Sequence, residues 1–397
     1  MKKLLLLLSV ILAGCGGGGG PTDNNVITTP SCKVTSSVVP NNYLGTYTIP
    51  TPTRKLNSNI QRSMGLKDAA LGVTTCDYII TLDKLQALGV DRVWVYNYGI
   101  WDDFNKDVWT ASNWQISKND FTTIVTEAKK RNIKVFLAFQ FTSFDLKGNS
   151  LPWGDNVSET LLTKMLNSHH QLIVDYVKYG QTIGLAGVSL DWNAFHIPNL
   201  YQHNELWVTH MVRIANDVRA NFSGTIVYGQ SEIPHYDSRI YDVVDEIHVF
   251  LTEIAESKTY QSSNATINVE SLKSQYLASI DDYYNRLSHT TKPVQFEISI
   301  QSRDKYYTEG WIEDGFCVNN CIQNSYVTDF SVQAIGVEAA LEAIAEQTKF
   351  VTKSVNFHTS YWFTDSLTPG NQGFPNLSES IRGKPAENIV KYWFGRG

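Results

Sequence analysis

The sequence predicts a single (β/α)8 barrel, and three observations lead to that prediction. Eight β-like runs alternate with helix-like runs from about residue 60 to the C-terminus. Long segments follow the strands and short ones follow the helices, so insertions gather on one rim, where barrels build their sites. Two acids, Asp191 and Glu297, stand near the C-terminal ends of the fourth and seventh runs, each on the face opposite the apolar residues. The rival architecture is an open doubly wound sheet. No GxGxxG or GxxxxGK[ST] follows an early strand, which weakens a nucleotide-binding version of it.

The elements follow in order. Strands are expected at 62–67 (RSMGLK, the weakest), 92–98 (RVWVYNY), 134–141 (KVFLAFQF), 186–193 (AGVSLDWN), 224–230 (GTIVYGQ), 246–251 (EIHVFL), 293–300 (PVQFEISI) and 354–362 (SVNFHTSYW). Helices are expected at 76–88, 119–131, 157–183, 203–221, 268–287, 329–349 and 385–394. Asn119-Asp120 and Thr328-Asp329 have the chemistry of N-terminal caps, because their side chains can accept from free backbone N–H groups. Gly89 and Gly184 stand where helices must end before a strand. Pro385 suits a first helical turn. No internal repeat is evident.

The N-terminus has the layout of a secretory leader. Lys2 and Lys3 precede an apolar run from Leu4 to Leu12, which is too short for an ordinary membrane span and ends at Leu12-Ala13-Gly14-Cys15. LAGC resembles the bacterial lipoprotein box, in which the Cys is lipidated and becomes the mature N-terminus. That resemblance implies a signal peptide at 1–14, a membrane anchor at Cys15, and a location in the cell envelope. Gly16 follows where inner-membrane lipoproteins carry Asp, which favours the outer membrane. Gly16 to Gly20 and the Thr/Asn/Pro-rich stretch after them read as a tether over 15–52, with the barrel domain at 53–397. Cys32, Cys76, Cys317 and Cys321 are even in number, as disulfides in an exported chain require, and three pairings are open. Cys317 with Cys321 would close a small loop, and Cys32 with Cys76 would pin the tether to the domain. A four-Cys zinc site fits less well, since only one close pair exists.

Composition narrows the function. About 345 residues follow the tether, enough for one large core. A net charge of −6 without a basic cluster argues against nucleic acid. Twenty Tyr and ten Trp suit a carbohydrate site, where rings serve as flat apolar platforms, although cores use aromatic residues too. His169-His170 matches no metal motif and HExxH is absent, so neither a catalytic metal nor another cofactor is expected.

The acids carry the chemistry. In KPVQFEISIQS (292–302), Val294, Phe296, Ile298 and Ile300 share one face, and Gln295, Glu297, Ser299 and Gln301 share the other. A buried carboxylate is costly without a partner or a task. In the fourth run Val188, Leu190 and Trp192 face the helices, while Ser189, Asp191 and Asn193 face inward. A retaining glycosidase needs two carboxyls about 5–5.5 Å apart, one as nucleophile and one as acid/base. Strands four and seven can present such a pair across a barrel mouth. Salt-bridged or capping carboxylates are the plain alternative for either acid.

With these motifs the chain resembles clan A glycoside hydrolases, and among them glycoside hydrolase family 113, whose members act on β-mannans. KPVQFEISIQS resembles that family's seventh strand, which implies Glu297 as nucleophile. Asp329-Phe-Ser-Val-Gln333-Ala334 resembles the next helix start. Tyr361-Trp362 resembles the aromatic after strand eight, which implies Trp362 as the floor under the cleaved sugar. GKPAENIVKYWFG (383–395) resembles the closing helix. The likeness runs over about 60–397, mostly as pattern. It breaks at strand four, where Asn193 occupies the position of the family's acid/base Glu. Asn cannot donate and retrieve a proton in this role. Asp191 on the same face, or Glu232 after strand five, would then handle the proton; otherwise the site only binds sugar. GVSLDWN also resembles the DxDxE strand of family 18 chitinase-like barrels, where the catalytic Glu again falls on Asn193.

Further side chains fall near the same rim. Trp101 and Trp311, with Trp109, Trp114 and Trp153, lie in post-strand segments and could form sugar platforms or fill the core. Trp94, Trp192 and Trp207 are assigned to helix-facing core positions. Asn97, Gln140, His248 and His358 are placed at inward strand ends, where they could bind hydroxyls or orient the acids, or serve only as hydrogen-bonded core residues. The leading expectation is an exported, lipid-anchored glycoside hydrolase acting on a polysaccharide or oligosaccharide. The alternative is a non-catalytic carbohydrate-binding lipoprotein on the same scaffold.

Overall fold

The computed structural model describes residues 32, 45–67, 73–100, 110–111, 116–142, 158–190, 204–229, 236–251, 267–309, 327–362 and 376–395. Its eight main strands are β1 (Gln61–Lys67), β2 (Arg92–Ile100), β3 (Lys134–Thr142), β4 (Gly187–Ser189), β5 (Thr225–Tyr228), β6 (Glu246–Phe250), β7 (Val294–Ile298) and β8 (Thr352–Trp362). Each is hydrogen-bonded in parallel to the next, and β1 pairs with both β2 and β8, which closes the barrel. A two-residue strand, Thr110–Ala111, adds antiparallel to the end of β2.

The helices are α1 (Thr75–Leu88), α2 (Lys118–Lys130), α3 (Glu159–Ile183), α4 (Asn204–Asn221), α5 (Ser238–Tyr241), α6 (Val269–Arg286), α7 (Tyr306–Glu309), α8 (Phe330–Glu346) and α9 (Pro385–Phe394). The two four-residue helices, α5 and α7, carry no pattern that sequence reading could detect. α1 begins in a capping box, with Thr74 accepting from the Asp77 N–H and the Asp77 carboxylate accepting from the Thr74 N–H. It ends at Gly89, whose φ of 88° is left-handed and whose missing Cβ leaves room for the Phe394 carbonyl. The cap of α2 is Ser117, not Asn119-Asp120: Asp120 is the third helical residue, and its N–H donates to the Ser117 hydroxyl. Asp329 caps α8 as expected, accepting from the Ser331 and Val332 N–H groups.

The alternation of side chains divides the core in two. One face of each strand joins the main apolar layer beneath the helices, including Met64, Val93, Val135, Val188, Ile226, Ile247, Phe296 and Val355. The other face fills the barrel. Its apolar part is a small cluster of Trp94, Tyr96, Phe136, Ala138 and Val227. Trp94 is therefore core but interior, not helix-facing. Arg92, Trp94 and Tyr96 share the inward face of β2, and the two-residue period fixes that set. The same period turns Asn97 outward, where it meets the Tyr176 hydroxyl of α3; it does not line the mouth. Trp207 is core under α4, its indole N–H donating to the Tyr228 hydroxyl.

At the base of the barrel, Arg92 and Glu246 form a fully buried ion pair at 2.8 Å, and the guanidinium lies 3.6 Å from the centre of the Phe136 ring. Outside, the chain before β1 is strapped along the barrel. Thr46 donates to the Asp329 carboxylate and the Tyr47 N–H to the Ser331 hydroxyl, so contact with the barrel begins before residue 53. The Leu56 N–H donates to the Trp393 carbonyl at the opposite end. Cys32 and Cys76 form a disulfide that ties the N-terminal segment to the first turn of α1. Cys15, Cys317 and Cys321 lie outside the described residues. Among the described residues no helix is long and apolar enough to cross a membrane.

Candidate active site

The site is built on the inward faces of β2, β6, β7 and β8. Register brings it together: Gln295 lies beside His248 on one flank and Ser354 on the other, and Glu297 lies beside Phe250 and Asn356. Glu297 and Gln295 are both buried, as are Asn356 and His248.

Gln295 organises the centre. Its Oε1 accepts from the Trp94 indole N–H at 3.0 Å and from the Ser354 hydroxyl at 3.1 Å. An indole nitrogen can only donate, so the amide orientation is fixed. The Gln295 Nε2 then donates to Glu297 Oε2 at 3.1 Å and to His248 Nε2 at 2.8 Å. Because that imidazole nitrogen accepts, the His248 proton sits on Nδ1, 4.0 Å from Glu297 Oε2. Asn356 Nδ2 also donates to Oε2, at 3.0 Å, and its own Oδ1 accepts from the Ser63 hydroxyl. The other oxygen, Oε1, faces His358 Nδ1 at 2.5 Å, and the same nitrogen is 2.9 Å from the Tyr96 hydroxyl.

This surrounding sets the charge. Burial pushes the Glu297 carboxyl up, but His358, then His248 and the Asn356 amide, outweigh it and bring the group down to about 2. Glu297 is thus an ionised carboxylate at any ordinary pH. It is held in one orientation by three donors, Gln295 Nε2, Asn356 Nδ2 and His358 Nδ1.

Among the residues expected at the site, Glu297, His248 and His358 come together as one network. Asn97 does not join it. The backbone of Gln140 pairs with Tyr98 and that of Trp362 with Lys67, both near the C-terminal strand ends; their side chains lie outside the described parts. Asp191, Asn193, Glu232, Trp101 and Trp311 also lie outside the described residues, as do Trp109, Trp114, Trp153 and Trp192. Sequence reading missed Gln295, Asn356 and Tyr96 as site residues. Gln295 and Asn356 carried a signal, since they alternate in step with Glu297 and His358. Tyr96 carried the same signal on β2 but was passed over for its neighbour. No group of three His, Cys, Asp or Glu side chains suited to a metal ion occurs among the described residues.

Solved structures share this architecture. A GH113 β-1,4-mannanase, described as a complex, superposes with a TM-score of 0.59 at 12% identity, over 84% of this chain and 97% of that one. The GH113 β-mannanase of Alicyclobacillus acidocaldarius, in complex with ManMIm, superposes at 0.56 with 14% identity, over 84% of this chain and 96% of that one. The chain has their fold. No protein-family model matches the sequence, and neither does any curated protein. At such identities the barrel is shared, and function must be argued from the site.

Proposed function

We propose that this protein is a retaining glycoside hydrolase in which Glu297 attacks the anomeric carbon. The observation that carries the reading is the Glu297 carboxylate: buried, ionised, and clamped at the C-terminal end of β7 by donors from β6, β7 and β8. In the first step a Glu297 oxygen forms the glycosyl ester while an acid protonates the leaving oxygen. In the second step the same group, now a base, draws a proton from the water that hydrolyses the ester. Asp191 is our candidate for that group, because in the sequence it follows Ser189 of β4 by two residues and shares the parity of Gly187 and Ser189. The GH113 neighbours named above are β-mannanases, so β-linked mannans head the substrates to test.

The test pairs turnover with trapping. Purified protein is incubated with plant and bacterial polysaccharides, β-mannans first, and with an activated 2-deoxy-2-fluoro glycoside. The expected result is product release by the wild type, none by Glu297→Gln, and a covalent adduct on the peptide containing Glu297. Loss in Asp191→Ala with recovery by azide would assign the acid/base. The second reading, a non-catalytic sugar-binding protein, is favoured by Asn193. It wins if glycans bind with Kd values that Glu297→Gln leaves unchanged while nothing is cleaved.

We also propose attachment to the cell envelope through lipid at Cys15, on the outer membrane. The support is the LAGC sequence after a basic and apolar leader. Labelled palmitate should enter the wild type and not Cys15→Ala. Fractionation of the membranes tests the location.

A further inference from the structure

The strand that carries His358 is irregular at that residue. Between β1 and β8 the pairing steps from Met64–Phe357 to Leu66–Tyr361. Two positions on β1 thus face four on β8, so β8 carries two extra residues immediately after Phe357. Bulges re-aim the side chains beside them and gather next to active sites. Here the bulge adjoins the one histidine of β8, and that histidine points at Glu297 from a wall that is partly open to solvent. Its side chain is 26% exposed, while that of Glu297 is 3% exposed.

The geometry points to His358 as a positioning residue for Glu297: an imidazole beside the bulge, in step with Ser354 and Asn356 on the inward face of β8, that fixes Oε1 and keeps the attacking carboxylate ionised in the free enzyme. This inference rests on the reading of Glu297 as nucleophile. The hydrogen bonding settles which partner donates. An ionised carboxylate only accepts, so His358 Nδ1 carries the proton that lies between the two groups. The Tyr96 oxygen, 2.9 Å from the same nitrogen, then accepts from it as well and does not donate to it.

The other groups around Glu297 cannot replace this one. Gln295 and Asn356 are neutral and both act on Oε2. His248 Nε2 accepts from Gln295, and its Nδ1 stands 4.0 Å from Glu297 Oε2, too far for a hydrogen bond. Arg92 is on β2 beneath them, paired with Glu246. Tyr96 is uncharged. Among the described residues, only His358 places an ionisable side-chain nitrogen in direct contact with the carboxylate.

The consequence has a sign. Without His358, burial becomes the dominant influence on Glu297 and raises its pKa. Protonated carboxyl is no nucleophile, so the acid side of the activity profile should retreat to higher pH. The experiment measures kcat/KM against pH for the wild type, His358→Asn and His248→Asn. In parallel, carboxyl-13C-glutamate NMR follows the Glu297 resonance, assigned by its loss in Glu297→Gln. His358→Asn should move the NMR midpoint up by about one pH unit or more, a tenfold change in proton affinity. The acid limb of kcat/KM should move with it, and His248→Asn should move both less. An unmoved NMR midpoint, or an effect of His248→Asn as large as that of His358→Asn, overturns the proposal. An activity loss with no shift of the acid limb would make His358 merely structural and would also overturn it. If no polysaccharide is cleaved, the hydrolase reading fails, and the NMR titration still decides whether His358 controls this carboxylate.

Discussion

The charge on Glu297 should be visible as folding stability. In the unfolded chain this carboxyl titrates near 4.5, and in the folded protein near 2. A depressed carboxyl stabilises the fold by an amount that is fully present above the higher value and disappears as pH falls through the lower one. At 1.36 kcal/mol per tenfold change, the gap is worth about 3 kcal/mol. Glu297→Gln keeps the shape and removes the titration. Urea unfolding of both proteins, followed by tryptophan fluorescence at several values between pH 2 and pH 7, gives two stability curves. Their difference cancels groups common to both. It should be flat from pH 7 to about 5, then change by about 3 kcal/mol in favour of the variant as pH approaches 2. Parallel curves over the whole range would refute the reasoning, because they would mean that His358 and Asn356 hold the carboxyl no more firmly than water does.

Other perturbations test the frame around the site. Reducing the Cys32–Cys76 disulfide, or replacing both residues by Ser, frees a loop of 44 residues and should cost up to about 4 kcal/mol by the chain-entropy relation, read as a lower urea midpoint. Arg92→Leu leaves Glu246 buried and unpaired and should lose about 3–5 kcal/mol, whereas Arg92→Leu with Glu246→Leu should recover most of it; equal losses in single and double variants would contradict the pairing. In α8, Gly336→Ala gains about 1 kcal/mol of helix propensity, but its Cβ would meet the Tyr307 hydroxyl at 2.0 Å. Overpacking of about 1–3 kcal/mol and the lost Tyr276–Tyr307 hydrogen bond should prevail, and Tyr307→Phe added to Gly336→Ala should raise Tm again.

The barrel was legible because its signals are local. Runs such as RVWVYNY and KVFLAFQF alternate or fill with β-formers, and the helices between them close on glycines such as Gly89. Glu297 was legible for the same reason: parity alone puts it with Gln295 on the polar face of an apolar strand. The errors came where parity was not followed to the end. Counting from Arg92 places Trp94 and Tyr96 inside and Asn97 outside, the reverse of the helix-facing position expected for Trp94 and the inward one expected for Asn97. The inward turn of His358 was legible by the same parity, which sets it in step with Ser354 and Asn356. Its contact with Glu297 depends on the lateral register of β7 and β8, a relation between segments about 60 positions apart that no local pattern encodes. The orientation of the Gln295 amide, and with it the tautomer of His248, likewise depends on Trp94, 201 positions away.

The knitting of β1 and the segment before it to β8 and α9 at the base of the barrel governs how the molecule can be made. Arg62 Nε donates to the Phe394 carbonyl at 2.9 Å, Leu56 bonds the Trp393 carbonyl, and β1 finds its second neighbour only in β8. A chain synthesised from its N-terminus therefore carries β1 with an open edge, and Arg62 without its Phe394 acceptor, until β8 and α9 have been added. Such late, long-range closure folds slowly and leaves partly formed sheet exposed in the meantime. Glu297, Asn356 and His358 sit on the last two strands to arrive, so the carboxylate gains its clamp only when the ring is complete.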